Sequence, residues 1–118
     1  MNQQEYQQLM SEIEYYQGLL EKVEASLNNL RSTKKNLEDF DVEKSTSVLA
    51  PIASGVYVEA ELKSKDLFVN IGSGVVSKKT IKEASGIINN QEKEVLLDQQ
   101  KIIDKLEACY VLLQKKGD

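Results

Sequence analysis

Heptad spacing at both ends of the chain sets the first limit on what it can fold into. From Tyr6 the apolar positions run Tyr6, Leu9, Ile13, Tyr16, Leu20, Val23, Leu27, Leu30 and, past Lys34, Leu37, in alternating steps of three and four. That is the repeat of a coiled-coil seam, narrower than the stripe of a globular helix. In the second half Ile88, Val95, Ile102 and Cys109 recur by sevens, and Leu106 and Leu113 continue a companion position held earlier by Glu92 and Gln99. Leu96, Ile103 and Tyr110 widen this second stripe on one side. Each run predicts a helix of roughly 35 residues, about 50 Å long at the α-helical rise. Helices with so thin an apolar strip bury it against each other. The expectation is an antiparallel pair that sets Leu9 beside Leu113.

The second helix has a legible start. Thr80, Ile81, Lys82 and Glu83 spell T-x-x-E, a capping box in which the threonine hydroxyl accepts from the Glu83 amide while the carboxylate reaches back to the cap amide. The first helix fades into EDFDVEKSTS, residues 38–47, which reads as a polar connector. Between the helices the period changes to two. Val56, Val58, Ala60 and Leu62 alternate with Tyr57, Glu59, Glu61 and Lys63, while Leu67, Val69 and Ile71 alternate with Phe68 and Asn70. Val48, Ala50 and Ile52 precede them and Val75 and Val76 follow, so four short strands are predicted. Gly55, Gly72 and Gly74 supply the turns of two hairpins, and Pro51, lacking an amide hydrogen, puts the first strand at an edge or at its own end.

Two isolated hairpins are marginal in water, and their open edges invite pairing with other chains. Val56, Val58, Ala60, Leu62, Val69 and Ile71, with the turn glycines, are therefore the candidate oligomerisation surface. The predicted class is α+β: a long antiparallel coiled coil joined by two central hairpins that assemble with those of other subunits into an intersubunit β-barrel or a joined sheet. Tyr6, Leu9, Met10 and Ile13 at one end of the helix pair meet Tyr110, Leu112 and Leu113 at the same tip, where apolar seam residues have few neighbours. These seven are a candidate contact surface at the tip, tyrosine and methionine being amphipathic and adaptable. The residues alone leave open that they are ordinary seam positions zipped to the ends.

Composition excludes several classes. A formal charge of −4 is the wrong sign for a phosphate-backbone binder. No apolar run reaches the length of a membrane span, the richest, from Val48 to Val58, being broken by Pro51, Ser54 and Gly55. The opening MNQQEYQQ lacks the features of a signal peptide, and the one cysteine, Cys109, fits a reducing compartment. A cytoplasmic address is expected. The absence of histidine removes the usual general base and the commonest metal ligand, so no catalytic residue, metal site or cofactor is expected. GSGVVSKKT imitates a phosphate loop, but Ser77 stands where the glycine before the lysine is required. Cys109 sits on the heptad register as a packed hydrophobe. The carboxylates Glu38, Asp39, Asp41 and Glu43 lack calcium-loop spacing.

Two stretches carry a resemblance. APIASGVYVEA, residues 50–60, and VNIGSGVVSKKT, residues 69–80, resemble the two hairpin motifs of α-type subunits of the prefoldin family, with alanine at positions 50 and 53 as departures. The flanking heptads agree, so the resemblance spans the chain. It implies a single prefoldin-like domain over 1–118, with coiled-coil helices at 1–40 and 80–117 and hairpins across 47–78. It also implies an ATP-independent chaperone subunit in a hexamer of two α and four β-type chains, holding unfolded clients at its coiled-coil tips for a group II chaperonin. Neither nucleic acid nor membrane is an expected partner. A structural coiled-coil oligomer that binds no client is the alternative the residues leave standing.

Overall fold

A computed structural model of the chain describes residues 2–116, with the side chains of Ile71 and Lys116 outside the described set. In order, the elements are α1 (Gln3–Val42), β1 (Ser47–Ala53), β2 (Val56–Glu61), β3 (Leu67–Gly72), β4 (Val75–Lys79) and α2 (Ile81–Lys116). Two long helices thus flank two antiparallel hairpins. The chain divides into two compact units, one built from the helix segments up to Arg31 and from Asn90 onward, the other from Ser32–Asn89.

In the helical unit α1 and α2 run antiparallel. Leu9 and Ile13 of α1 and Leu106 and Cys109 of α2 form a buried cluster, with Met10, Tyr16, Leu20, Ile102 and Leu113 packed around it. The heptad positions Val23, Leu30, Glu92, Val95 and Gln99 are half-buried, and Leu27 is buried. Asn2 caps α1, its Oδ1 accepting from the Glu5 amide at 2.7 Å. The signal for this cap was N-x-x-E, its asparagine four residues ahead of Tyr6, where the apolar periodicity begins.

In the other unit the capping box of α2 is formed as its sequence dictates. The Glu83 amide donates to Thr80 Oγ1 at 3.1 Å, and the Thr80 amide donates to Glu83 Oε1 at 3.2 Å. Those contacts, the backbone amide of Thr80 first and its hydroxyl second, hold the Glu83 carboxyl below the ordinary glutamate value. A depressed carboxylate pKa contributes stability at pH values above the unfolded value, and the contribution is lost as pH falls through the folded one.

The hairpins form two separate two-stranded sheets. In the first, Val48 faces Ala60, Ala50 faces Val58 and Pro51 faces Tyr57, with a register shift between Pro51 and Ala53. The Leu62 amide extends the ladder by donating to the Thr46 carbonyl at 2.7 Å. In the second, Leu67 faces Lys79, Phe68 faces Lys78 and Asn70 faces Val76, with a shift between Asn70 and Gly72. Ser73 and Gly74 have φ of 51° and 76°. Positive φ at both central residues is the type I′ turn, whose twist matches that of paired strands. The first turn has positive φ only at Gly55.

One expectation is corrected. The connector read at residues 38–47 is helical as far as Val42, and the first coiled-coil helix outlasts its expected end at residue 40. The reason is Lys65, from the loop between β2 and β3. Its ammonium donates to the carbonyls of Phe40 and Asp41 at 2.9 Å each and to that of Glu43, and it lies 5.5 Å from the centre of the Phe40 ring. The last carbonyls of a helix have no partner within it, and a cation there also complements the helix dipole. Replacing Lys65 by methionine keeps the aliphatic stem and removes this clamp. The expected outcome is a loss of about 1–2 kcal/mol, read as a lower melting temperature, with faster amide exchange confined to the last turn of α1.

Candidate functional site

Two apolar surfaces are candidates. The first belongs to the hairpins. Strand pairing places Val56, Val58 and Ala60 with Val48 and Ala50 on one face of the first hairpin, and Tyr57, Glu59 and Glu61 with Leu49 and Pro51 on the other. Of the sequence-derived set, Val56 and Val58 are exposed and Ala60, Leu62 and Val69 are half-buried, while the Ile71 side chain lies outside the described residues. Leu62 follows the last residue of β2 and lies beyond the strand. Gly55, Gly72 and Gly74 all take positive φ at or beside the turns, where a side chain would be strained.

The more exposed apolar groups lie on the opposite faces. Tyr57 is 60% exposed and Phe68 is 72% exposed, with Leu49 and Val76 beside them on their respective hairpins. Sequence reasoning favoured the valine-rich parity as the assembly surface and gave less weight to this one. The signal was present: these strands carry β-branched or aromatic residues on both parities, the pattern of strands covered on both faces. A Lys78–Asp66 ion pair at 3.3 Å edges the second hairpin. It is too exposed to contribute much.

The second surface is the end of the helix pair near Asn2. The seven residues expected there separate into two groups. Leu9 and Ile13 are buried, Ile13 at 3% exposure, and Met10 and Leu113 pack partly against them. Tyr6, at 48%, Tyr110 and Leu112 are exposed. Tyr110 Oη is held by the Gln17 amide group at 3.1 Å, which presents the ring beside the seam rather than within it. Tyr15 is exposed on the far side of α1 and meets Tyr16 edge to face, ring centres 5.3 Å apart. Cys109 is buried, its Sγ 4.0 Å from Glu12 Oε2. Among the described residues no cluster of three histidine, cysteine or carboxylate side chains is placed to hold a metal ion, and no helix is long and apolar enough to cross a membrane.

An antiparallel coiled coil carrying two hairpins with apolar residues on both faces defines a class of oligomer-forming coiled-coil subunit. The prefoldin subunit family matches residues 9–116. A prefoldin subunit alpha of Methanobrevibacter smithii is 32% identical over 114 residues, covering 90% of this chain and 75% of its own length. One of Archaeoglobus fulgidus is 33% identical over 109 residues, covering 91% and 80%. A solved structure of filamentous PFD from Methanocaldococcus jannaschii superposes with a TM-score of 0.77 over 93% of both chains at 19% identity, a likeness of fold. The chain belongs to the prefoldin subunit family, and its curated relatives are alpha subunits. Its place is that of a chaperone subunit associating with other prefoldin subunits.

The division of the tip residues is measurable. Ile13→Ala removes buried methylene groups and is expected to cost about 2–4 kcal/mol. Tyr6→Ser, at an exposed position, is expected to change stability by no more than about 0.5 kcal/mol. Chemical denaturation of the two variants beside the parent chain reads both values.

Proposed function

We propose that the chain is the α-type subunit of a hexamer with four β-type chains, holding unfolded proteins without ATP and passing them to a group II chaperonin in the cytoplasm. In this reading the whole chain acts as one prefoldin-like domain. The hairpins of neighbouring subunits close into a β-barrel, and the helix pairs project from it with their ends free to hold clients. The observation that carries the reading is apolar surface that the chain does not cover for itself. Tyr57, Phe68, Leu49, Val56 and Val58 are exposed on two-stranded sheets whose every strand is an edge, and sheets of that size need further strands or layers for stability. At the end of the helix pair Tyr6, Tyr110 and Leu112 stand exposed around a buried seam. Each offers a weak contact, and several subunits held in one assembly multiply such contacts through effective concentration.

Assembly and holding are separable by mutation. Val58→Asp places a carboxylate in the wall of the proposed barrel, where an unpaired buried charge costs on the order of 3–5 kcal/mol. The expected outcome is loss of the hexamer with β-type partners in native mass spectrometry, and an unchanged hexamer mass would refute the platform assignment. Tyr6→Ser combined with Leu112→Ser leaves the buried seam intact. The hexamer is expected to form, with its potency in suppressing aggregation of a denatured client reduced about tenfold. Undiminished suppression would move the holding surface elsewhere, and an assembly that never suppresses aggregation would be a scaffold.

A further inference from the structure

Two hairpins in one chain can act as one binding unit only if something fixes one against the other. Among the described residues no strand of the first hairpin pairs with a strand of the second. Their relative placement therefore falls to the loop between Glu61 and Leu67. It reads Leu62, Lys63, Ser64, Lys65, Asp66, a polar linker whose composition gives it no shape of its own.

In the structure this loop is tied at both ends and near its centre. At one end the Leu62 amide donates to the Thr46 carbonyl at 2.7 Å and closes the open end of the first hairpin. At the other, Asp66 pairs with Lys78 of β4 at 3.3 Å, while its amide donates to Ser64 Oγ at 3.3 Å. Between them stands Lys65. An ammonium group has three N–H donors, and three carbonyls, those of Phe40, Asp41 and Glu43, are placed to accept them. The Phe40 ring lies beside the group, its centre 5.5 Å from Nζ. Lys65 and Phe40 are both half-buried, whereas Lys63, two residues earlier, is exposed. One lysine of the loop thus fills a socket cut to an ammonium, and the other is solvated. The Asp66–Lys78 pair is too exposed to fix the loop. The Lys65 socket joins a charge to carbonyls that the helix end leaves without partners. All these groups belong to the same compact unit, Ser32–Asn89.

We propose that Lys65 is a positioning residue for assembly: by locking the β2–β3 loop onto the end of α1, it holds the two hairpins at the spacing that lets both engage neighbouring subunits at once. The inference rests on the barrel-forming reading of the hairpins and adds to it the residue on which two-point engagement depends. Docking of one hairpin makes docking of the other intramolecular, at an effective concentration that is high only where the two are already correctly spaced. A loosened loop spreads the second hairpin over many positions, and the cost of ordering it then falls on assembly. Lys65 acts through the hairpins and touches no partner itself.

The test uses the full chain with β-type partners and two substitutions, Lys65→Met and Leu27→Ala. Leu27 is buried in the helical unit, so its truncation lowers stability without altering the hairpins. On dilution, followed by native mass spectrometry, the Lys65→Met hexamer is expected to dissociate at about tenfold higher concentration than the parent. The Leu27→Ala hexamer is expected to dissociate where the parent does, although its melting temperature falls at least as far as that of Lys65→Met. Spin labels on Ser54→Cys and Ser73→Cys, one in each hairpin turn and with Cys109→Ala as background, give a second readout. The distance between them is expected to be narrowly distributed with Lys65 present and broad in Lys65→Met. Dissociation of Lys65→Met at the parent's concentration, or equal weakening by Leu27→Ala, would overturn the positioning role. A parent chain that forms no hexamer would overturn the barrel-forming reading instead, and the label distances would still decide on Lys65: equal widths with and without Lys65→Met would overturn the latch.

Discussion

A pair of helices has only one line along which it can exclude water. In the helical unit that line holds Leu9, Ile13, Leu27, Leu106 and Cys109, and among the described residues of the whole chain no large side chain is fully buried. A thin seam of this kind depends on heptad continuity more than on the volume of any one residue. It also leaves the flanks of both helices unburied, so any apolar residue off the seam faces outward. The exposed tyrosines and leucines of the helical unit follow from that geometry.

The hairpin unit obeys the same constraint in another form. Each sheet has two strands, so no strand is central, and Pro51 is tolerated within β1 because an edge has an unpaired side to offer it. Apolar residues on both parities of the strands leave one face uncovered whichever way the hairpin packs. The turns are built more firmly than the faces. Positive φ at Ser73 and Gly74 gives the second hairpin a turn with the twist its strands require, and Asn70 Oδ1 accepts from the Gly72 amide at 2.9 Å beside it. A unit with well-defined turns and open faces has the properties of a part made to be joined to others.

Much of this was legible from spacing. The alternating threes and fours gave both helices and their seam, alternation by two gave the four strands, and T-x-x-E gave the start of α2. What spacing could not give was any contact whose partners lie far apart in the chain without a shared period. Lys65 reads as one lysine in a charged loop, yet it decides where α1 ends. The local sequence around Phe40 and Asp41 argued for a connector because the carbonyls that needed a donor found it more than twenty residues away. The tip residues show a second limit. Periodicity places Tyr6 and Leu9 on the same seam, but the burial of each depends on what the antiparallel partner supplies opposite it, and that is set by three-dimensional register.

The buried thiol of Cys109 has a use beyond packing. It is the chain's one sulfhydryl and is 5% exposed between the helices, so an alkylating reagent reaches it only when the pair separates. Its rate of labelling is therefore a clock for the breathing of the coil, carried by the native sequence and readable in the assembled particle without any added reporter.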